Sequence, residues 1–181
     1  MNDTDAILIE ACKQQDPAAQ KKLYELYAPV MLGICRRYMG SKMAAEDVFH
    51  DAFIKVLTNI NSFQGKSSVY TWMRAIMVHT ALNAIRSDTI KNKYCQDSIN
   101  DSGFDQKIDD NVFSKFSTQE LMDVITALPD IYRTIFNLRE IEGYEYAEIA
   151  TEMNITESYA RVCLARAKNM LRNKLNKEHN S

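Results

Sequence analysis

The amino-acid sequence predicts an all-α protein: two small helical domains joined by a flexible linker, the C-terminal one containing a helix-turn-helix. Three observations carry this expectation. The 181 residues include only 5 glycines and 3 prolines, and the periodic segments are rich in Ala, Leu, Met, Glu and Lys, so strands and β-turns have little to build on. Apolar residues recur at spacings of three and four, the mark of a helix with one buried stripe. That rhythm fails over residues 88–116, where Asp, Asn, Ser and Lys dominate a stretch too long for a loop inside one compact domain. Domains at 1–87 and 117–181 follow, with a linker at 88–116 between them.

Residues 6–87 read as a set of helices. Ala18, Leu23, Leu26 and Tyr27, then Val30, Met31, Ile34 and Tyr38, form one stripe. In "SKMAAEDVFHDAFIKVLTNI" Ser41 is placed to cap, and Ala45, Val48, Ala52, Phe53, Val56, Leu57 and Ile60 keep the rhythm. "NSFQGKSS", residues 61–68, interrupts it, and helical pattern resumes near Val69. After the linker, Ser117 or Thr118 is the expected cap of a helix with Leu121, Val124, Ile125 and Leu128 inward. Pro129 opens the next helix, with Ile131, Ile135 and Leu138 inward, and Gly143 ends it at the position where a left-handed residue is wanted.

The last stretch, "EIATEMNITESYARVCLARAKNML", carries the helix-turn-helix expectation. A first helix over Tyr146 to Met153 would bury Ile149, Ala150 and Met153, with Ala150 small enough for a close crossing. Asn154, the residue after glycine most tolerant of positive φ, supplies the turn. Thr156 caps a second helix whose buried stripe is Ala160, Leu164, Ala167, Leu171 and Leu175. On the opposite side lie Ser158, Arg161, Val162, Ala165 and Arg166, with Lys168, Arg172 and Lys174 beyond. In this motif the second helix lies in the major groove, where arginines reach guanine edges or phosphates.

The net charge of -2 and pI near 5.9 argue at first against nucleic acid, since duplex binding draws on cations that neutralise phosphates. The distribution argues otherwise. Residues 61–87 hold three basic residues and no acidic one, residues 154–181 hold six basic and two acidic, and residues 117–153 hold two basic and eight acidic. Positive charge is thus confined to two windows. The first also carries Phe63, Tyr70 and Trp72 beside Lys66, Arg74 and Arg86. Rings beside cations suit unpaired bases, each of which offers a face for stacking. Core packing is the favoured reading for Trp72 itself, and the loop residues 62–66 are the better candidates for contact.

"EDVFHDAFIKVL", then "SFQGKSSVYTWMRAIMVHTALNAIR", then "LPDIYRTIFNLREIEGYEYAEIATEMNITESYARVCLARAK" together resemble a bacterial RNA polymerase sigma factor of the sigma-70 family, ECF (extracytoplasmic function) group. The resemblance implies sigma region 2 at 1–87 and sigma region 4 at 117–181. It makes Asp47, Val48, Asp51 and Phe53 candidates for binding core RNA polymerase. It places Phe63 and Lys66 at the melted minus-ten element of promoter DNA, with the helix from Trp72 through Arg74 and His79 to Arg86 against the strand. For the minus-thirty-five element the matching positions are Arg161, Val162, Ala165 and Arg166, joined by Ser158 and Lys168 on the same helix. An anti-sigma factor is the further partner implied. Departures from the family pattern include His50 for glutamine, His79 for asparagine, Cys163 for arginine and Asn154 for glycine. An acidic chain is compatible with this reading, because a large polymerase carries the factor to DNA.

The alternative is a stand-alone helix-turn-helix transcriptional regulator, which leaves the acid-free window without purpose. Enzyme chemistry, cofactors and metals are not expected. His50, His79 and His179 lack ligand spacing, no phosphate-binding glycine loop or nucleophile elbow occurs, and the glutamates of 140–152 read as a solvated face. The four widely spaced cysteines read as reduced thiols of a cytoplasmic protein, and no apolar run is long enough for direct membrane insertion.

Overall fold

The structure is a computed structural model and describes residues 3–91 and 118–179, with side chains described over 5–86 and 120–175. Among the described residues every regular element is helical. Helices α1 (Asp3–Lys13), α2 (Pro17–Tyr38), α3 (Lys42–Thr58) and α4 (Val69–Lys91) precede the undescribed stretch. Helices α5 (Thr118–Thr126), α6 (Asp130–Phe136), α7 (Tyr146–Met153) and α8 (Glu157–His179) follow it. The chain divides into two compact units at Ala84 and Ile85. Helix α4 runs past the expected boundary at residue 87 to Lys91. From residue 92 the expected linker lies outside the described residues, as do Cys95, Ser117 and the side chain of Thr118.

In the N-terminal unit α2 begins where Asp16 accepts a hydrogen bond from the Ala18 N–H at 2.8 Å and Pro17 supplies a preset φ. Ser41 caps α3 as expected, accepting from the Ala44 N–H at 3.2 Å. Tyr24 of α2 meets Phe53 and Phe49 of α3 with ring centroids 4.9 and 5.8 Å apart. Helix α4 buries Met73, Met77, Val78, Ala81 and Leu82 in this unit, and Met77 reaches the Cys35 thiol of α2 at 3.9 Å. Leu23, Met31, Ile34 and Tyr38 are core, but Leu26 and Val30 of the same expected stripe are 54% and 51% exposed. At 100° per residue Leu26 lies about 60° from Leu23, at the edge of the stripe, whereas Val30 lies only about 20° from Leu23, so angle alone does not account for the exposure of Val30.

In the C-terminal unit α5 buries Val124 and Ile125, Leu128 is buried just beyond its end, and α6 buries Ile135. Arg133 is 3% exposed because its guanidinium closes the end of α5. It donates to the carbonyls of Thr126 at 3.0 Å and Leu128 at 2.7 Å and pairs with Asp130. Those carbonyls have no intrahelical partner, so the buried cation satisfies them. After Phe136 the helix widens into a π turn over Asn137–Ile141, with the Glu142 N–H donating to the Asn137 carbonyl at 2.9 Å. Gly143, at φ +80, then turns the chain.

Candidate nucleic-acid interfaces

The helix-turn-helix forms where the sequence places it. Asn154 ends α7 at φ 53, ψ 49, in the left-handed region, and the Ile155 N–H returns to the Ala150 carbonyl at 3.0 Å. Thr156 Oγ1 accepts from the Tyr159 N–H at 3.1 Å, capping α8. Ile149, Ala160, Leu164, Ala167, Leu171 and Leu175 are buried, whereas Ala150 and Met153 are only half-buried. Cys163, outside the expected stripe, is fully buried. Burial holds its thiol above the ordinary range, while hydrogen bonding from Tyr159 opposes that shift.

The minus-thirty-five candidates do not form one uniform surface. Ser158 and Arg161 are exposed, and Val162, Ala165 and Arg166 are half-buried. Arg161 pairs with Glu157 one turn earlier at 3.1 Å and its guanidinium carbon lies 4.1 Å from the centroid of the Tyr146 ring. The neighbouring Tyr132 raises the pKa of Arg166 further above its ordinary value. Lys168 corrects the expectation of an outward cation. Its side chain is 15% exposed and its ammonium pairs with Glu140 at 3.0 Å, so it ties α8 to the π turn. Spacing could not foresee this, because Lys168 is adjacent to the buried Ala167 and its partner is 28 residues away.

In the acid-free window the structure reverses the expected allocation of aromatic rings. Phe63, expected at the surface, is 5% exposed and meets Trp72 with centroids 5.3 Å apart. Trp72, read as core, is half-buried, and Tyr70 is 40% exposed. The loop 63–68 folds its one aromatic residue inward, as its hydrophobic area favours, and leaves Gln64, Gly65, Lys66, Ser67 and Ser68 exposed. Ser68 then caps α4, accepting from the Thr71 N–H at 3.1 Å. Along α4 Thr71, Ala75, His79 and Asn83 are exposed at four-residue intervals, with Trp72, Arg74 and Arg86 half-buried beside them. That row is legible in the sequence as a four-residue spacing.

Of the polymerase-binding candidates on α3, Asp47 and Asp51 are exposed. Val48 and Phe53 are 6% and 5% exposed and belong to the core of the N-terminal unit, which corrects their assignment to a docking face. The face that α3 leaves open carries Met43, Asp47, His50, Asp51 and Ile54, with Met43 and Ile54 73% and 60% exposed. The sequence signal for Ile54 was its position three residues after Asp51 and seven after Asp47, on the acidic rather than the buried side of the helix. Among the described residues no helix is long and apolar enough to cross a membrane, and no group of His, Cys, Asp and Glu is arranged to hold a metal ion.

The chain thus comprises two helical units, one ending in a helix-turn-helix and the other carrying a long helix, free of acidic residues up to Ser87, behind a short loop. Residues 23–89 match the model of sigma-70 region 2, and residues 118–171 match that of sigma-70 region 4. The ECF RNA polymerase sigma-E factor of Haemophilus influenzae is 33% identical, with 95% of each chain covered. That of Escherichia coli K12 is 30% identical over 95% of this chain and 94% of the relative. Among solved structures, the sigma factor RpoE of Bartonella quintana, in complex with the anti-sigma factor NepR, has a TM-score of 0.49 at 19% identity, covering 87% of this chain and 96% of that one. The chain belongs to the sigma-70 family of RNA polymerase sigma factors, in its ECF group, and its function is that of a sigma factor in transcription initiation.

Proposed function

We propose that the chain binds core RNA polymerase through the open face of α3, reads the minus-thirty-five element with α8, and captures the melted minus-ten strand with the 64–68 loop and the exposed row of α4. Residues 1–87 then serve as region 2 and residues 117–181 as region 4, joined by the linker 88–116. The observation that carries this reading is the combination of an exposed row on α4, Thr71 to Asn83, inside the acid-free window 61–87, with an exposed arginine near the start of the second helix of a helix-turn-helix. At α8, Ser158 and Arg161 reach base edges or phosphates, while Val162 and Ala165 offer apolar contact to thymine methyls. Arg166, half-buried, adds positive charge beside them, and Lys168 contributes only by holding the helix in place. At α4, Trp72 and Tyr70 are the rings positioned for stacking, and Phe63 supports Trp72 from below. Lys66 and Arg74 supply local positive charge, with His79 in the exposed row, and Arg86, paired with Glu152 at 2.6 Å, adds its charge only after leaving that carboxylate.

On α3 the exposed carboxylates of Asp47 and Asp51, flanked by Met43 and Ile54, present a mixed acidic and apolar face suited to a basic partner surface. The chain contributes recognition and assists opening, the chemistry of RNA synthesis being the polymerase's. It acts in the cytoplasm, and an anti-sigma factor restrains it. Transcription in vitro with core polymerase over a genomic library, with and without the chain, tests the proposal. Discrete start sites that require the chain are expected. No dependent start site, or promoter-specific binding by the chain without polymerase, would refute it in favour of a stand-alone regulator.

A further inference from the structure

Tyr146 has no role in the reading above, yet two guanidiniums lie over its ring. Arg161 stands 4.1 Å from the ring centroid and Arg139 stands 4.8 Å from it. Each arginine also holds a carboxylate, Arg161 that of Glu157 at 3.1 Å and Arg139 that of Glu145 at 3.0 Å. Arg139 further donates to the Tyr144 carbonyl at 2.8 Å, so the backbone entering α7 is tied to the same arginine that covers the ring. The order Glu145, Arg139, Tyr146, Arg161, Glu157 is a row of alternating negative and positive groups with an aromatic face at its centre. An arginine side chain with 57% of its area in solvent ordinarily samples many rotamers, and each must be given up when it grips a base or phosphate. Here a ring face and a carboxylate restrict those rotamers beforehand.

We propose that Tyr146 is a positioning residue for promoter recognition: it holds the Arg161 guanidinium in a restricted set of orientations before α8 meets DNA, so that less rotamer freedom is lost on binding. This rests on the reading of α8 as the minus-thirty-five helix. Lys168 differs in kind, being paired with Glu140, and Arg166 is half-buried, which leaves Arg161 as the exposed arginine of the α8 candidates, restrained by a ring beneath it.

The test uses the full chain, first free and then with core polymerase on the fragment giving the strongest dependent start site in the genomic library. In the free chain, the Arg161 side-chain proton resonances are expected upfield of their random-coil positions because of the ring. The shift should persist in Tyr146→Phe and vanish in Tyr146→Leu. With polymerase, Tyr146→Leu is expected to raise the half-saturating holoenzyme concentration roughly two- to fivefold, the range of an exposed cation–ring contact. Tyr146→Phe should stay within about twofold. Arg161→Ala should weaken binding and lower the slope of log affinity against log salt by about one, whereas Tyr146→Leu leaves the slope unchanged. In the Arg161→Ala background Tyr146→Leu should cost nothing further.

An unshifted Arg161 in the unaltered chain, or an equal loss from Tyr146→Leu in both backgrounds, overturns the positioning role while leaving the α8 assignment intact. A shifted Arg161 whose removal costs no affinity overturns the α8 assignment, and the positioning role with it. Tyr146→Met, similar in volume and without a ring, replaces the leucine variant if that chain fails to fold.

Discussion

Replacing Asn154 isolates the energetics of the turn between α7 and α8. The residue sits at φ 53, ψ 49, and its side chain is exposed, so a substitution there changes backbone preference and removes no buried contact. Left-handed conformation costs an ordinary L-residue roughly 1–2 kcal/mol, and asparagine escapes part of this through its short polar side chain. Valine, branched at Cβ, escapes none of it. Asn154→Val should therefore destabilise the C-terminal unit by about 1–2 kcal/mol, raising its opening equilibrium roughly 5- to 30-fold. Glycine relieves the strain but loosens the unfolded chain by about 0.4–1 kcal/mol, so Asn154→Gly should lie within about 0.5 kcal/mol of the unaltered protein. Native-state hydrogen exchange reads this directly. Amides of α7 and α8, Ile155 and Ala160 among them, should exchange faster in the valine variant by that factor, with α2 and α3 unchanged. Equal protection in the valine and glycine variants would refute the strain argument, and equal acceleration in α2 and α3 would show that the effect is not local to the turn.

Thr156→Ala removes the hydroxyl that caps α8 and should cost about 1 kcal/mol, with Thr156→Ser retaining most of it, as thermal denaturation of the C-terminal unit would record. Ile54→Asp should leave the melting temperature nearly unchanged and weaken co-purification with core polymerase. Phe53→Ala should instead cost about 3–5 kcal/mol, because that ring is packed against Tyr24 and Phe49. Burial pushes the Cys35 thiol up to about 12 from its ordinary 9.0. The folded chain therefore keeps a proton that the unfolded chain releases, and this stability, complete below pH 9, drains away as pH rises toward 12. Urea midpoints between pH 8 and 11 should fall more steeply for the unaltered protein than for Cys35→Ala.

Local rules made most of the helical plan legible. Ser41, Gly143, Asn154 and Thr156 each act within a few residues of themselves, through a cap or a positive φ, and each does in the structure what its type and position require. The buried stripe of α8 was equally plain, since Ala160, Leu164, Ala167, Leu171 and Leu175 follow one helical face. Failures occurred where a partner distant in sequence decides. Phe63 turns inward because Trp72 waits nine residues on, Lys168 is claimed by Glu140, and Val48 and Phe53 are drawn into the core that α2 and α3 share. A motif match names a helix and leaves open which of its faces the neighbouring helix has already taken. The face was recoverable from spacing alone for Ile54. No spacing rule foretold Tyr146 beneath Arg161, because their meeting depends on the turn closing.

The π turn at Asn137–Ile141 has a consequence for heredity as well as for shape. A five-residue ring holds one residue more than the α-helical repeat, and one residue is worth about 100° of rotation. A single-codon deletion there would leave every side chain from Gly143 onward chemically intact, yet swing them all by more than a quarter of a circle relative to α6. The phase of α7 and α8 is thus stored in a count rather than in any one residue, and indels in this segment should be far less forgivable than substitutions.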